Sequence, residues 1–368
     1  MNCHLKLITV VLSFNVSDKS LFYAHYNIIT VRPTDLRLDP ISYLWIEKLG
    51  PNQNNVINNP SLKPSQSIDY EIGFRQAIGK TSAISLAAYY SEKRDQVQCY
   101  RYTGAYPSTY YSYDNIDFGT VQGFTVSYDL RSNKNVTLRA SYTLQFAKGT
   151  GSSETSSLAI IQSGQPNLRT LTNLSFDQRH KLSANLDYRF GYGTEYNGPK
   201  AKKEKDGKVK EINVLENFGV NINFTAGSGL PYSRSSKPYS TIVSAGKSQL
   251  SGTINGSNMP WIYQCDIRID KTFVLNLKKD EEGNPLKKAY LNVYLDVMNL
   301  FNFKNVIYVY EYTGNADDDG YLTASEYQQQ INSQVDVASY TNYYRMRVAN
   351  PYNYTMPTRV RLGVNFSF

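Results

Sequence analysis

The sequence predicts an all-β fold, a transmembrane antiparallel β-barrel, and three observations support this prediction. Segments of about ten residues, the length that crosses a bilayer as a tilted strand, alternate apolar and polar side chains throughout the chain. The connections between these segments alternate between long and short. Aromatic residues are abundant, with 32 Tyr and 15 Phe among 368 residues. Barrels of the outer membrane combine these features because each strand faces lipid on one side and water on the other.

The final segment, 358–368, shows the alternation most clearly. Successive residues of a strand point to opposite faces, so one face would be apolar and the other polar. The apolar set is Val360, Leu362, Val364, Phe366 and Phe368. The same period of two recurs at 6–14, 21–28, 67–77, 82–92, 119–130, 136–146, 182–190, 216–226 and 291–298.

The polar faces of these strands supply candidates for the lining of a barrel lumen. They are charged or amide residues at alternate positions of segments whose other positions are apolar. The candidates are Arg139, Asp187, Arg189, Asn221, Asn223, Asp266, Arg268, Asp296 and Arg361.

Composition argues against a membrane protein that spans the bilayer with helices. With 41% hydrophobic residues and a negative mean hydropathy, the chain has no continuous apolar stretch as long as a spanning helix needs. A large soluble β-sandwich also uses many Tyr, and it stays open as an alternative.

The connections indicate an orientation in the membrane. Outer-membrane barrels have long extracellular loops and short periplasmic turns, which predicts a periplasmic C-terminus here. The expected extracellular loops are 31–66, 100–118, 147–177, 229–261 and 300–355. The expected periplasmic turns are 15–19, 78–81, 131–133, 191–215 and 277–286. Of these turns only 191–215 is long; it holds the charge run 200–210, which favours a solvated periplasmic tongue over a binding site.

The number of predicted strands indicates a partial barrel. About eleven strands are expected, whereas bacterial single-chain barrels have an even number and an unclosed sheet leaves unpaired backbone groups in lipid. The first residues, from Met1, lack the features of a secretory signal. We therefore expect residues 1–368 to be one partial barrel domain that begins within the barrel.

A series of motifs resembles a known family. Each motif is weak alone, but their order along the chain is specific. They are Asn59–Pro64 followed by Tyr70–Phe74, then Phe176–His180, Ser228–Tyr232, Asp296–Asn302 and Arg359–Phe368. In this order they resemble the C-terminal barrel half of TonB-dependent outer-membrane receptors of the type abundant in Bacteroidetes, over about residues 5–368.

The resemblance implies a 22-stranded barrel, plugged by an N-terminal globular domain, that imports a scarce ligand with energy relayed by TonB. The N-terminal barrel half and the plug would precede this chain. The ligand would be a metal chelate, a glycan or a peptide, and Phe368 resembles the signal read by the barrel-assembly machinery. A passive pore, an adhesin or a non-functional fragment of an interrupted receptor gene remain the alternatives.

One loop resembles a calcium-binding loop of twelve residues, 315–326. Oxygen donors stand at the required spacing, with Gly320 at the sharp turn. The candidate ligands are Asn315, Asp317, Asp319, the backbone carbonyl of Tyr321, and Glu326. Asn replaces the usual first Asp and the preceding segment has a strand pattern, so an acidic turn bound to water is the alternative, and any calcium would be structural.

Enzymatic and nucleic-acid functions have little support. His4, His25 and His180 lie on separate predicted strands without ligand-spaced partners. Cys3, Cys99 and Cys265 have no metal-binding spacing, and their odd number leaves at least one outside any intrachain disulfide. The net charge of +8 is dispersed over strands and turns, and no nucleic-acid recognition motif appears.

Overall fold

The computed structural model of the protein describes residues 8–32, 56–57, 59, 61–106, 109–133, 135–167, 169–205, 208–279 and 285–368. Cys3, His4 and Pro60, most of the predicted loop 31–66, and the middle of the turn 277–286 lie outside the described residues. No helix in the described part of the chain is long and apolar enough to cross a membrane.

Eleven strands form one antiparallel sheet, in which each strand pairs with the next along the chain. They are β1 (Ile8–Ser17), β2 (Ser20–Val31), β4 (Ser65–Ile78), β5 (Ser82–Tyr102), β6 (Tyr110–Asn133), β7 (Val136–Gly149), β9 (His180–Arg189), β12 (Phe218–Gly227), β15 (Ile262–Lys279), β16 (Pro285–Met298) and β17 (Arg359–Ser367). The short strands β3 (Val56–Ile57) and β8 (Thr172–Asn173) pair with β6 and β7. The all-β antiparallel fold and the count of about eleven strands are confirmed.

The sheet is open. In the described part of the chain, β1 and β17 end the hydrogen-bonded order and are not paired with each other. Directions alternate along the order, so the first and eleventh strands run the same way. Closure by an antiparallel sheet would therefore need an odd number of further strands between them.

The register separates two faces across the sheet, because residues directly opposite in an antiparallel pair share a face. One row across five strands is Asp187, Asn221, Arg268, Asp296 and Arg361. The adjacent row, on the opposite face, is Leu186, Ile222, Ile267, Val297 and Val360. The alternation predicted from the sequence thus continues from strand to strand as one polar and one apolar face.

The connection predicted at 100–118 is shorter than expected. β5 and β6 have 21 and 24 residues, about twice the length that crosses a bilayer, and they are joined by 103–109. A bulge between Lys93 and Val97 shifts the register and interrupts the period of two. Beyond it Val97, Cys99, Tyr111 and Tyr113 form a small buried core, so this hairpin projects from the sheet as a folded unit.

Helices occur in the loops, where the sequence showed no helical periodicity. They are α1 (Leu158–Gln162), α2 (Gln328–Asn332) and α3 (Val337–Val348). The Asp336 side chain caps α3 by accepting from the Ser339 N–H at 3.0 Å. The helix buries only Tyr344 and Val348, too few positions to produce a periodic pattern. The segment that precedes the candidate calcium loop has a strand pattern in the sequence but is irregular in the structure.

Apart from the shortened connection 103–109, long and short connections alternate as predicted, and 191–215 is the exception that the sequence also showed. It forms a separate hairpin of β10 (Lys200–Lys205) and β11 (Lys208–Asn213) at the end of the sheet that carries the short turns. At the other end β13 (Pro231–Tyr232) pairs with β14 (Ser257–Asn258) within one long loop.

The two faces predict unequal effects of the same substitution. Leu362 is 72% exposed on the apolar face, so Leu362→Arg should lower the free energy of unfolding in a bilayer by about 2–4 kcal/mol. Asn365→Arg, on the polar face of the same strand, should cost much less. Reversible unfolding of the complete barrel in lipid vesicles measures both, and equal losses would contradict the two-faced assignment.

The unpaired edges predict that residues 1–368 alone do not form a monomeric closed barrel. In lipid, the unpaired N–H and C=O groups of β1 and β17 would each cost free energy. The expected product in detergent is an aggregate or a protease-sensitive species. A heat-modifiable, protease-resistant monomer of this chain alone would contradict the prediction.

Candidate functional site

An ionic network occupies the polar face of β9, β15 and β16. Arg189 donates two hydrogen bonds to the Asp270 carboxylate, at 2.8 and 3.0 Å, and lies 3.7 Å from Asp187. Asn292 donates to the same carboxylate at 3.0 Å. Arg268 lies 3.5 Å from Asp296. The structure thus brings four of the predicted residues together and adds Asp270 and Asn292, which were not among the predicted residues.

The other predicted lumen-lining residues share this face but are less connected. The Asn221 amide exchanges hydrogen bonds with Asn185, and Asp266 accepts from the Asn299 N–H at 2.8 Å. Arg139 and Arg361 are exposed. Asn223 lies directly opposite Asn185 on one neighbouring strand and Asp266 on the other. All nine candidates therefore lie on one face, and their position in a lumen remains a prediction.

The motif at 296–302 forms the turn that begins the last long loop. Asn299 and Asn302 adopt positive φ values of 53° and 52°. The Asn299 amide donates to the carbonyls of Phe303 and Met356, and its oxygen accepts from the Phe303 N–H. One asparagine side chain thereby joins the beginning of the loop to its end.

The motifs at 176–180 and 228–232 hold together the ends of β7, β9 and β12 on the side of the sheet that carries the long loops. Asp177 is 3% exposed and accepts from the Ala147 N–H at 2.9 Å. The His180 N–H donates to the Ser228 hydroxyl at 3.0 Å. A Cβ on Gly229 would lie 1.7 Å from the Met259 carbonyl oxygen, so only glycine fits there. These residues are structural.

His180 lies in a row of aromatic rings on the apolar face. Its ring stacks on Trp261 with centroids 5.7 Å apart, and its Nδ1 is 2.9 Å from the Tyr142 hydroxyl. Trp261 continues to Tyr263 at 6.2 Å. Such a row at strand ends is typical of the aromatic belt at a membrane surface.

A cavity of about 350 Å³, lined by both polar and apolar residues, opens on the polar face at the base of the long loops. Lys93 and Gln96 of β5 and the loop segment 151–154 contribute to its lining. Lys93 is half-buried, and its side chain makes no hydrogen bond or ion pair with any described residue. Its ammonium is therefore available to an acceptor group of a ligand.

The buried carboxylate of Asp117 forms hydrogen bonds that stabilise the wall of this cavity. Asp117, 6% exposed, accepts from the Gln98 amide at 2.8 Å and from the Thr150 hydroxyl at 2.9 Å. Burial raises the pKa of Asp117. A Cβ on Gly151 would lie 2.0 Å from the Asp117 oxygen, so glycine allows the loop to approach the strand.

A second cluster joins the loops 228–261 and 299–358. The Tyr344 hydroxyl lies 2.5 Å from both the Ser240 hydroxyl and the Asp319 carboxylate. Its ring stacks on Tyr321 with centroids 4.9 Å apart, and both rings are almost completely buried. Burial and the hydrogen bond to Asp319 raise the pKa of Tyr344, so the neutral phenol is favoured. We call Ser240, Asp319, Tyr321 and Tyr344 the loop clamp.

The candidate calcium ligands do not converge. Asp319 faces the Tyr344 hydroxyl, Asp317 accepts from the Tyr354 hydroxyl, and the Asn315 oxygen accepts from the Asp317 N–H. Tyr321 begins a short 3₁₀ turn and Glu326 is exposed on the next one. In the described part of the chain, no group of three or more His, Cys, Asp or Glu is placed to hold a metal ion. Calcium binding stays a prediction. This geometry does not support it, because Asp319 would have to give up its hydrogen bond with the Tyr344 hydroxyl to bind the ion.

The described cysteines, Cys99 and Cys265, are both free and buried. Burial raises the pKa of Cys99 to about 11, which keeps it as an unreactive thiol.

The loop clamp predicts an effect of removing one hydroxyl. Tyr344→Phe leaves Ser240 and one Asp319 oxygen buried without that partner, so docking of the two loops should lose about 1–3 kcal/mol. Hydrogen exchange of 236–248 and 319–348 measures the loss. Tyr343→Phe is the matched control, because Tyr343 is 54% exposed on the same helix. Equal effects of the two variants would contradict the clamp.

The calcium prediction has its own test. If the loop 315–326 binds calcium with the 10⁻⁴–10⁻³ M affinity typical of extracellular modules, millimolar calcium should slow its proteolysis in the assembled barrel. Glu326→Gln should remove that protection, because it removes the bidentate carboxylate. Cleavage that does not respond to calcium would support the acidic turn instead.

Comparison with known proteins identifies the family. A family model described as TonB dependent receptor-like, beta-barrel, matches residues 10–300. The outer membrane transporter YddB from Escherichia coli is 13% identical, with 80% of this chain and 37% of that chain covered and a TM-score of 0.49. The FrpB iron transporter from Neisseria meningitidis is 16% identical, with 81% and 35% covered and a TM-score of 0.47.

The ferripyoverdine receptor of the Pseudomonas aeruginosa outer membrane is 13% identical, with 84% and 30% covered and a TM-score of 0.49. The chain thus spans about a third of the length of these solved structures. No curated protein sequence matches it. The family model covers most of the chain, and the chain therefore belongs to the family of TonB-dependent receptor-like β-barrels.

Proposed function

We propose that this chain is the ligand-capturing part of a plugged outer-membrane barrel that imports a scarce ligand with energy supplied through TonB. The observation that carries this proposal is the open, two-faced sheet with long loops packed at one end. Its apolar face would contact lipid, and its polar face would line the lumen.

Ligand capture would take place where the loops meet the polar face. The cavity beside Lys93 offers an ammonium, an amide and hydroxyls, and the ionic network around Arg189 and Asp270 continues the polar surface along the strands. A metal chelate, a glycan and a peptide all present oxygen acceptors that such a surface can bind. The loop clamp would keep two of the capture loops in one arrangement before ligand arrives.

The rest of the transporter would come from a further segment. That segment would supply the odd number of strands that β1 and β17 require, together with the plug and the contact with TonB. With the long loops extracellular, the C-terminus is periplasmic, and Phe368 would be available to the barrel-assembly machinery. The absence of such a segment from the assembled protein would favour a passive pore, an adhesin or a non-functional fragment.

The test uses the complete receptor purified from membranes. In a liposome-swelling assay with arabinose as the probe, a plugged importer should give little swelling, because the lumen is filled, and purified TonB periplasmic domain should bind it. An open pore would give rapid swelling without TonB binding. Failure of this chain to co-purify with a plug-containing segment would also overturn the proposal.

A further inference from the structure

A second cavity opens on the polar face, at the end of the sheet that carries the short turns. Its volume is about 310 Å³, and Arg189, Thr272, Lys288 and Tyr290 contribute to its lining. Lys288 and Tyr290 occupy alternate positions of β16 in step with Asp296, so both belong to the polar face. This cavity therefore lies at the opposite end of that face from the cavity at the base of the long loops.

One side of the cavity is formed by the Arg189 guanidinium, which crosses a neighbouring strand. Gly219 lies directly opposite Arg189 on one side and Asp270 on the other. A Cβ on Gly219 would lie 2.5 Å from the Arg189 Cζ, so glycine leaves the space through which the guanidinium reaches the Asp270 carboxylate. The charge of Arg189 is therefore already balanced within the sheet.

The second cation of the lining has no such partner. Lys288 is exposed, and its side chain makes no hydrogen bond or ion pair with any residue that the structure describes. The described residues that line the cavity include no acid. The ammonium can therefore donate to an acceptor group that enters the cavity.

Hydroxyl groups add further donors beside this ammonium. The Thr272 hydroxyl accepts from the Asn292 amide at 2.8 Å, so its own proton is free to donate elsewhere. Tyr290 is 45% exposed, and its hydroxyl forms no hydrogen bond within the described ranges. An ammonium flanked by hydroxyl donors suits a negatively charged oxygen, because hydrogen bonds to ionised acceptors are the strong ones. A hard metal cation would instead need carboxylate ligands, which the described lining lacks.

We propose that this cavity binds an oxyanion, the carboxylate or phosphate group of a small molecule, with Lys288 supplying the charge and Thr272 and Tyr290 supplying hydrogen bonds. The proposal rests on the proposed function in one respect, namely that the polar face lines a lumen. It narrows the imported ligand to one that carries a carboxylate or phosphate group. An uncharged glycan has no charge for Lys288 to neutralise.

The experiment measures the reactivity of single lysines in the complete receptor purified in neutral detergent. Sulfo-N-hydroxysuccinimidyl acetate acetylates accessible amines, and peptide mass spectrometry gives the rate at each lysine. Citrate and inorganic phosphate should slow the acetylation of Lys288 in a saturable manner, whereas sodium chloride at equal ionic strength should not. Lys200 is the internal control and should change little, because it lies at the same end of the sheet and is already paired with Glu211 at 3.2 Å.

Two tyrosine variants test the hydroxyl group. Tyr290→Phe should raise the citrate Kd obtained from this protection by about fivefold, through the loss of one hydrogen bond. Tyr188→Phe is the matched control, because Tyr188 is 39% exposed near the same end but on the apolar face. Equal effects of the two variants would overturn the proposal.

Two further results would overturn it. Equal slowing at Lys288 and Lys200 would mean that the anions act only by screening charge. Failure of Lys288 to react in the absence of any anion would mean that another part of the receptor covers the cavity.

The swelling and TonB-binding assays on the same preparation separate this proposal from the proposed function. Rapid swelling together with protection of Lys288 would overturn the plugged importer and support the oxyanion site. A plugged, TonB-binding receptor in which citrate and phosphate leave Lys288 unprotected would overturn the oxyanion site and support the importer.

Discussion

Pairing of backbone hydrogen-bonding groups is the constraint on which the rest of this structure depends. No water is available in a bilayer core, so each strand must find its donors and acceptors in a neighbouring strand. Eleven strands satisfy one another in chain order, and the register of each pair fixes which residues share a face. In the described part of the chain, β1 and β17 are the two strands that have such a partner on one side only.

The separation of polar and apolar rows follows from that register. A shift of one residue between any two strands would place charges on the apolar face, and antiparallel pairing over nine or ten residues makes such a shift costly. The ionic network of Arg189 with Asp270 forms because aligned polar rows bring charges from separate strands together.

The loops are held in place by buried side chains and side-chain hydrogen bonds more than by pairing of backbone groups. Their two buried clusters, one around Cys99 and one around Tyr344, are small cores of the kind found in soluble domains. Asparagine and serine side chains satisfy backbone groups in the turns, as Asn299 does for the last loop. Loops that fold as separate small cores can vary in sequence without disturbing the strands.

The sequence alone determined the strand count, the two faces and the alternation of connections, because a period of two and the length of a bilayer crossing are local properties. The tertiary structure alone decided which charges meet: Arg189 and Asp270 are 81 positions apart, and Tyr344 lies 104 positions from Ser240. It also decided that Asp319, interpreted from its spacing as a calcium ligand, faces a buried phenol. Local patterns are set by chain geometry, whereas a partner distant in sequence is chosen by register and loop packing, which no single segment encodes.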